Sequence, residues 1–340
     1  MRITRDTLLR IARETAEQRA KISRRLICIY LVGSCLSEDP LLGGTTDIDL
    51  VIIHDSEPLE PREMVRLSDE IHLDISHYSE ALFRQPRQLR THPWLGPFIY
   101  NKPLVLYDSR HWFDYIQAAT GAQFLQPEYV LARARALASL ARQEWSNLAF
   151  APSSDHRRRV VGFLKALENA GNAFAVLTGP PLTERRFLLE LPRRAAALGR
   201  PQLSASLSAL LAGEVEVSDD VWQSWMRHWD EAFQQVSSQE TFPTRLHSCR
   251  SAYYSRAASA LWEGNPGAAF WVLMRIWTLS VAHVPADSPV ILPWQETCQM
   301  VGLDRNHFAS RLEALDAYLD QVEEILDAWG ENHGVIPFQE

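Results

Sequence analysis

Cysteine is scarce in this chain. Cys28, Cys35, Cys249 and Cys298 are the only four, and no two of them stand in a CxxC pair. Spacing of that kind excludes a zinc ribbon and a disulfide-built scaffold, so the thiols are expected to be reduced and mostly buried. Long apolar runs are also missing: nothing approaches the roughly 18 residues that a membrane span needs. The opening Met1-Arg2-Ile3-Thr4-Arg5-Asp6 leads straight into an amphipathic pattern rather than the apolar core of a secretory signal. The expectation is a cytoplasmic protein without a membrane partner. Positive charge is in deficit, with 34 Lys+Arg against 42 Asp+Glu and a net charge of −8. Residues 1–117 hold 15 against 17, and the remainder 19 against 25. Neither part offers the field that tracks a long nucleic-acid backbone, which argues against a nucleic-acid partner and for a small substrate.

What is present is a chain of 340 residues with 46% apolar and 22% charged side chains, long enough for two domains with separate cores. Residues 5–25 carry apolar side chains at helical spacing, with Thr4 or Asp6 available as the cap. Leu26-Ile27-Cys28-Ile29-Tyr30-Leu31-Val32 is a continuous apolar run that reads as a central strand buried on both faces. Gly33-Ser34 ends it. After a turn-rich segment containing Pro40 and Gly43-Gly44, Asp47-Ile48-Asp49-Leu50-Val51-Ile52-Ile53 reads as a second strand. A third is expected at 70–76, where Ile71, Leu73 and Ile75 alternate with His72, Asp74 and Ser76, and a fourth at Leu104–Asp108. Residues 78–117 are otherwise irregular and interrupted by prolines. From about residue 125 the pattern is helical, with segments expected at 126–150, 156–178, 183–199, 201–212, 218–237, 246–263, 265–283 and 304–329. Ser218 and Asn265-Pro266 mark starts; Gly179-Pro180-Pro181 and Gly302 mark stops. The fold class is therefore α+β: a small mixed-sheet domain over 1–117, then an all-α helical-bundle domain over 118–340.

Asp47 and Asp49 stand two apart on a strand, share one face and lie about 6–7 Å apart along it. Two carboxylates aimed the same way repel unless a hard cation such as magnesium holds them. For the pair alone, a solvated acidic turn before a strand is the simpler reading. Gly33-Ser34 adds a glycine and a hydroxyl directly after a buried strand, where backbone N–H groups can approach a phosphate. If the strand at 70–76 lies beside 47–53, Asp74 joins the same face. His72 shares that face, though a strand histidine is more often structural. Arg84, Arg87 and Arg90 suit a triphosphate or a solvated basic face. On the helix at 156–178, Lys165, Glu168, Asn169 and Asn172 form a polar stripe that reads as water-facing. Trp222, Trp225, Trp229, Trp262, Trp271 and Trp277 recur at core spacing.

An apolar strand closed by Gly33-Ser34, then Asp47-Ile48-Asp49-Leu50-Val51-Ile52, then Asp74 on a following strand, resembles the nucleotidyltransferase superfamily of the DNA polymerase β type. A small catalytic domain followed by a helical one is most similar to the kanamycin- and streptomycin-type aminoglycoside nucleotidyltransferases and their bacterial relatives. The motifs cover residues 26–76. Twelve residues separate Ser34 from Asp47, and Cys35-Leu36 stands where relatives often carry an arginine. The resemblance implies a magnesium-dependent enzyme that moves a nucleoside monophosphate from ATP or another NTP to a hydroxyl of a small acceptor and releases pyrophosphate. It implies metal ligation by Asp47, Asp49 and Asp74, phosphate binding by Gly33 and Ser34, an acceptor pocket in the helical domain with Glu168 as a general base, and a possible homodimer. Two alternatives stand beside it: the same chemistry on a protein or tRNA acceptor, as in toxin–antitoxin systems, and a non-catalytic nucleotide-binding or antitoxin module.

Overall fold

α1 (Arg5–Ile22) opens the chain, its first turn capped by Thr4, whose side chain accepts a hydrogen bond from the Thr7 amide. Leu8, Ala12 and Ala16 fall on one face and are buried, as the i, i+4, i+8 spacing requires. In this computed structural model, residues 3–213 and 217–335 are described. They belong to two compact units, Met1–Leu125 and Gln126–Glu340.

The first unit is built on a five-stranded mixed sheet of β1 (Leu26–Val32), β2 (Thr46–His54), β3 (Arg62–Arg66), β4 (Ile71–Ser79) and β5 (Leu104–Asp108), in the order β3-β4-β2-β1-β5. β1 runs antiparallel to β2 and β5, whereas β2 and β4 are parallel. All seven residues of β1 are buried, which accounts for its lack of alternation. The sheet separates two apolar layers. Ile29, Leu31, Ile48, Leu50, Ile52, Leu73 and Ile75 pack with α1 on one side. On the other, Tyr30, Val32, Val51 and Ile53 meet side chains from α2 (Pro86–Thr91), α3 (Leu95–Tyr100) and α4 (Trp112–Gly121). Each such aliphatic side chain stabilises the fold by about 1.5–3 kcal/mol on burial. α4 runs across residue 117 and inserts Phe113 and Ile116 into this second layer, so the unit extends to Leu125.

Sequence periodicity missed β3. Only Met64 and Val65 are apolar in it and none of its residues is buried, as suits an edge strand. In the basic cluster after residue 83, Arg90 donates to the carbonyls of Ala119 and Thr120 at the end of α4, whereas Arg84 is exposed and pairs with Glu80.

The second unit is all helical: α5 (Pro127–Phe150), α6 (His156–Ala175), α7 (Phe187–Ala197), α8 (Gln202–Ala212), α9 (Asp219–Ser237), α10 (Ser251–Trp262), α11 (Pro266–Val281), α12 (Ile291–Met300) and α13 (Phe308–Asn332). Ser218 and Asn265 cap α9 and α11 as their residue types predict. α12 had no counterpart in the sequence reading because Pro285, Pro289 and Pro293 crowd the segment. Pro293 falls in the first turn, where a proline costs no helical hydrogen bond. Trp222, Trp229, Trp271, Trp277 and Trp294 are fully buried. Trp262 is half-buried and stacks on Trp222 with ring centroids 4.3 Å apart. Among the described residues, no helix is long and apolar enough to cross a membrane.

Candidate metal centre

The end of β1 and the start of β2 are adjacent by register, with Val32 opposite Asp49. The parallel pairing of β2 with β4 then sets Asp49 beside Asp74 and Asp47 beside His72. Side chains alternate along a strand, so the three carboxylates emerge on the sheet face that carries Val51 and Ile53, clear of α1. One oxygen from each of Asp47, Asp49 and Asp74 lies within 4.8 Å of the others. Asp47 and Asp74 are buried at 7% and 2% exposure, and Asp49 is half-buried.

Such convergence is unfavourable by itself. Two carboxylates 4.8 Å apart repel by about 3 kcal/mol at an effective dielectric near 20. Part of the cost is offset by Arg62 of β3, whose Nε and Nη2 donate to Asp74 Oδ1 and Oδ2 at 2.6 and 2.5 Å. Arg62 follows Pro61 in a stretch without apolar alternation, and sequence reasoning had no signal for it.

The donor set is all oxygen, which suits a hard divalent cation such as magnesium or manganese. Asp47, Asp49 and Asp74 are the residues that would hold such an ion. Gly33 keeps this space open. Its φ of +80° and ψ of −159° belong to a region that is nearly glycine-only, and a Cβ there would stand 2.0 Å from Asp49 Oδ2. We expect Gly33→Ala to lower stability by about 1–3 kcal/mol from backbone strain and to turn Asp49 aside. Denaturant midpoints and manganese titration would measure the two effects separately.

The connection from Ser34 to Asp47 is ordered rather than loose. A single 3-10 turn spans Ser34–Leu36, with the Leu36 amide donating to Gly33 O and the Ser37 amide to Ser34 O at 3.2 and 2.9 Å. Those two amides are therefore committed within the chain. Leu42 and Thr45 form a bridge around Gly43 and Gly44, whose φ values of +61° and +73° are those of a type I′ turn. Ser34 Oγ lies 3.2 Å from Thr46 Oγ1, and the Cys35 thiol donates to Asp47 O at 3.1 Å. Both contacts tie the turn to the start of β2. Burial first, and then the charges of Asp49 and Asp47, push the Cys35 thiol pKa well above its usual range, which keeps it neutral and unreactive.

Glu168 belongs to α6, in the second unit. It is 8% exposed, and its Oε2 accepts from Arg275 Nη2 at 2.5 Å. Asn172 is buried too, exchanging hydrogen bonds with the backbone of Leu182. The stripe read as water-facing is thus wet only at Lys165, which is exposed and pairs with Glu144, and partly at Asn169. α6 buries 13 of its 20 residues, so neighbouring helices cover even its polar side.

On the opposite face of the sheet, His54 Nε2 and His77 Nδ1 are 2.9 Å apart, and Glu63 stands between Arg19 and His77. Burial, then the neighbouring His77, lowers the His54 pKa. Burial likewise lowers that of His77, against the opposing pull of Glu63. For each histidine the folded state binds fewer protons than the unfolded chain just below the ordinary pKa of about 6.5. Stability from this pair is therefore present above about pH 6.5 and falls as the pH drops through the lowered pKa values. Melting curves of wild type between pH 7.5 and 5.5 should show the loss, and His77→Gln should flatten it.

No family model matches this sequence, and no curated protein matches it. Among solved structures it is similar to a nucleotidyltransferase-like protein from Exiguobacterium sibiricum, at 11% identity and a TM-score of 0.33, over 93% of this chain and 91% of that one.

Proposed function

We propose that this chain is a divalent-metal-dependent nucleotidyltransferase that moves a nucleoside monophosphate from an NTP, with ATP the expected donor, to a hydroxyl of a small acceptor. The observation that carries the reading is the convergence of Asp47, Asp49 and Asp74 on one sheet face beside Gly33. Three carboxylates held this close are costly for folding and useful for binding a cation. Asp47, Asp49 and Asp74 would hold the ion, which when bound would supply neutralisation of triphosphate charge.

The protein's own part is positioning. β2 presents Asp47 and Asp49 as metal ligands, and the parallel register with β4 brings Asp74 to complete the set. The glycine at position 33 leaves the Asp49 carboxylate accessible. In the transfer, the acceptor oxygen bonds to the α-phosphorus as the bond from that phosphorus to the bridging oxygen breaks. Pyrophosphate leaves with the electron pair, and the hydroxyl proton is released. In-line chemistry of this kind depends on alignment and charge neutralisation more than on covalent participation. The acidic balance of residues 118–340 suits a cationic acceptor such as an aminoglycoside-like antibiotic.

The test is incubation with magnesium, ATP labelled in its α-phosphate, and panels of aminoglycosides and lincosamides. Label should appear on an acceptor with stoichiometric pyrophosphate. Magnesium-dependent ATP binding without pyrophosphate in any mixture would favour a non-catalytic nucleotide-binding module instead.

A further inference from the structure

We propose that Arg62 acts as a built-in counter-cation for the metal centre. It latches Asp74, and a divalent ion must displace it before all three carboxylates can ligate. This deepens the metal-centre reading and rests on it.

Three observations support the latch. The guanidinium engages both oxygens of Asp74 at once, at 2.6 and 2.5 Å. This is the fork geometry in which arginine binds a carboxylate most strongly. Asp74 itself is 2% exposed and sits in the middle of β4, paired to Asp49 on one side and Met64 on the other. Its carboxylate cannot leave the site to meet an ion elsewhere. The side chain of Arg62, by contrast, is 40% exposed and comes from the first residue of an edge strand. It can swing toward water without disturbing the core. One partner is fixed in the core of the sheet and the other reaches it from the partly exposed edge, as a competitive latch requires.

The charges agree. With Arg62 in place, Asp74 is neutralised by a guanidinium held on both of its oxygens. A cation approaching Asp74 meets a like charge less than 3 Å from each oxygen it would ligate. Removing the guanidinium removes that repulsion and exposes a third carboxylate to the ion. An opposite role would give the opposite result: if Arg62 merely oriented Asp74 for ligation, losing it would weaken metal binding.

Manganese binding to the full chain, followed by the electron paramagnetic resonance signal of the free ion, separates these outcomes without any catalytic assay. Arg62→Gln should bind manganese more tightly than wild type, on the order of tenfold. Arg62→Lys, which keeps the charge but loses the fork, should fall between the two. In an Asp74→Asn background the Arg62→Gln substitution should bring no gain, because the carboxylate it would liberate is gone. Unchanged or weaker binding in Arg62→Gln, with a circular dichroism melt like that of wild type, overturns the latch. So does an equal gain in the Asp74→Asn background. Asp49→Ala serves as the separate control. If it leaves manganese binding intact, the metal-centre reading itself fails; if it abolishes binding while Arg62→Gln brings no gain, only the latch fails.

Discussion

Alanine at position 49 is expected to abolish nucleotidyl transfer, by roughly a thousandfold or more, while leaving the fold intact. Asp49 is the carboxylate that faces Gly33, lies opposite Val32 and is paired in register with Asp74, so it occupies the middle of the three-carboxylate set. Removing it leaves Asp47 and Asp74, the latter still held by Arg62. A cation would then find two carboxylates at the centre instead of three. Removing a half-buried like charge also relieves repulsion of about 3 kcal/mol per neighbouring pair, so Asp49→Ala should melt at or above the wild-type temperature. Loss of transfer together with unchanged or raised stability is the signature of a residue kept for chemistry. Loss of both would point to a packing role. Transfer assayed with α-labelled ATP, alongside thermal melts of the same preparations, makes the distinction.

The second large effect lies in the helical unit and falls on stability. Glu168 and Arg275 are 8% and 5% exposed and joined at 2.5 Å. Glu168→Ala would leave the guanidinium of Arg275 buried without its carboxylate, and breaking a buried pair from one side typically costs about 3–5 kcal/mol. Nearby, Glu184 is held below the usual carboxylate range: its own burial opposes this, and Arg245, Arg275 and Arg250 overcome that opposition. This cluster ties α6, α11 and the segment before α10 to the segment before α7. The denaturant midpoint of the second unit should therefore fall sharply in Glu168→Ala and less in Glu168→Gln, which keeps a hydrogen-bond acceptor. A general base behaves otherwise, with turnover lost in Glu168→Gln at unchanged stability. Unfolding curves for both variants, with turnover measured at a temperature where each is folded, decide between these roles.

Much of the first unit was legible because its strands obey simple rules. Leu26–Val32 is apolar throughout since both faces of a central strand are covered. Ile71, Leu73 and Ile75 alternate with polar residues because the other face carries the site. That alternation was enough to place Asp74 with Asp47 and Asp49 once the two strands were taken as neighbours. Arg62 was hidden for the converse reason. An edge strand with no buried residue leaves no hydrophobic pattern, and a salt bridge across a strand pair has no local signature. The polar stripe on α6 misled through an equally definite cause. Helical spacing shows which residues share a face, but it does not show what covers that face. Buried glutamate and asparagine are tolerated only because Arg275 and the Leu182 backbone, distant in sequence, supply partners. Likewise, the Ser34–Asp47 connection owes its order to a Gly-Gly turn and two side-chain ties, of which only the glycines were visible beforehand.

Co-crystallisation with manganese and a non-hydrolysable ATP analogue tests the central claim most directly. An anomalous peak about 2.1 Å from carboxylate oxygens of Asp47 and Asp49, with the triphosphate on the same face of the sheet, is the predicted result. A nucleotide bound away from these residues, or manganese that ignores them at saturating concentration, would contradict it.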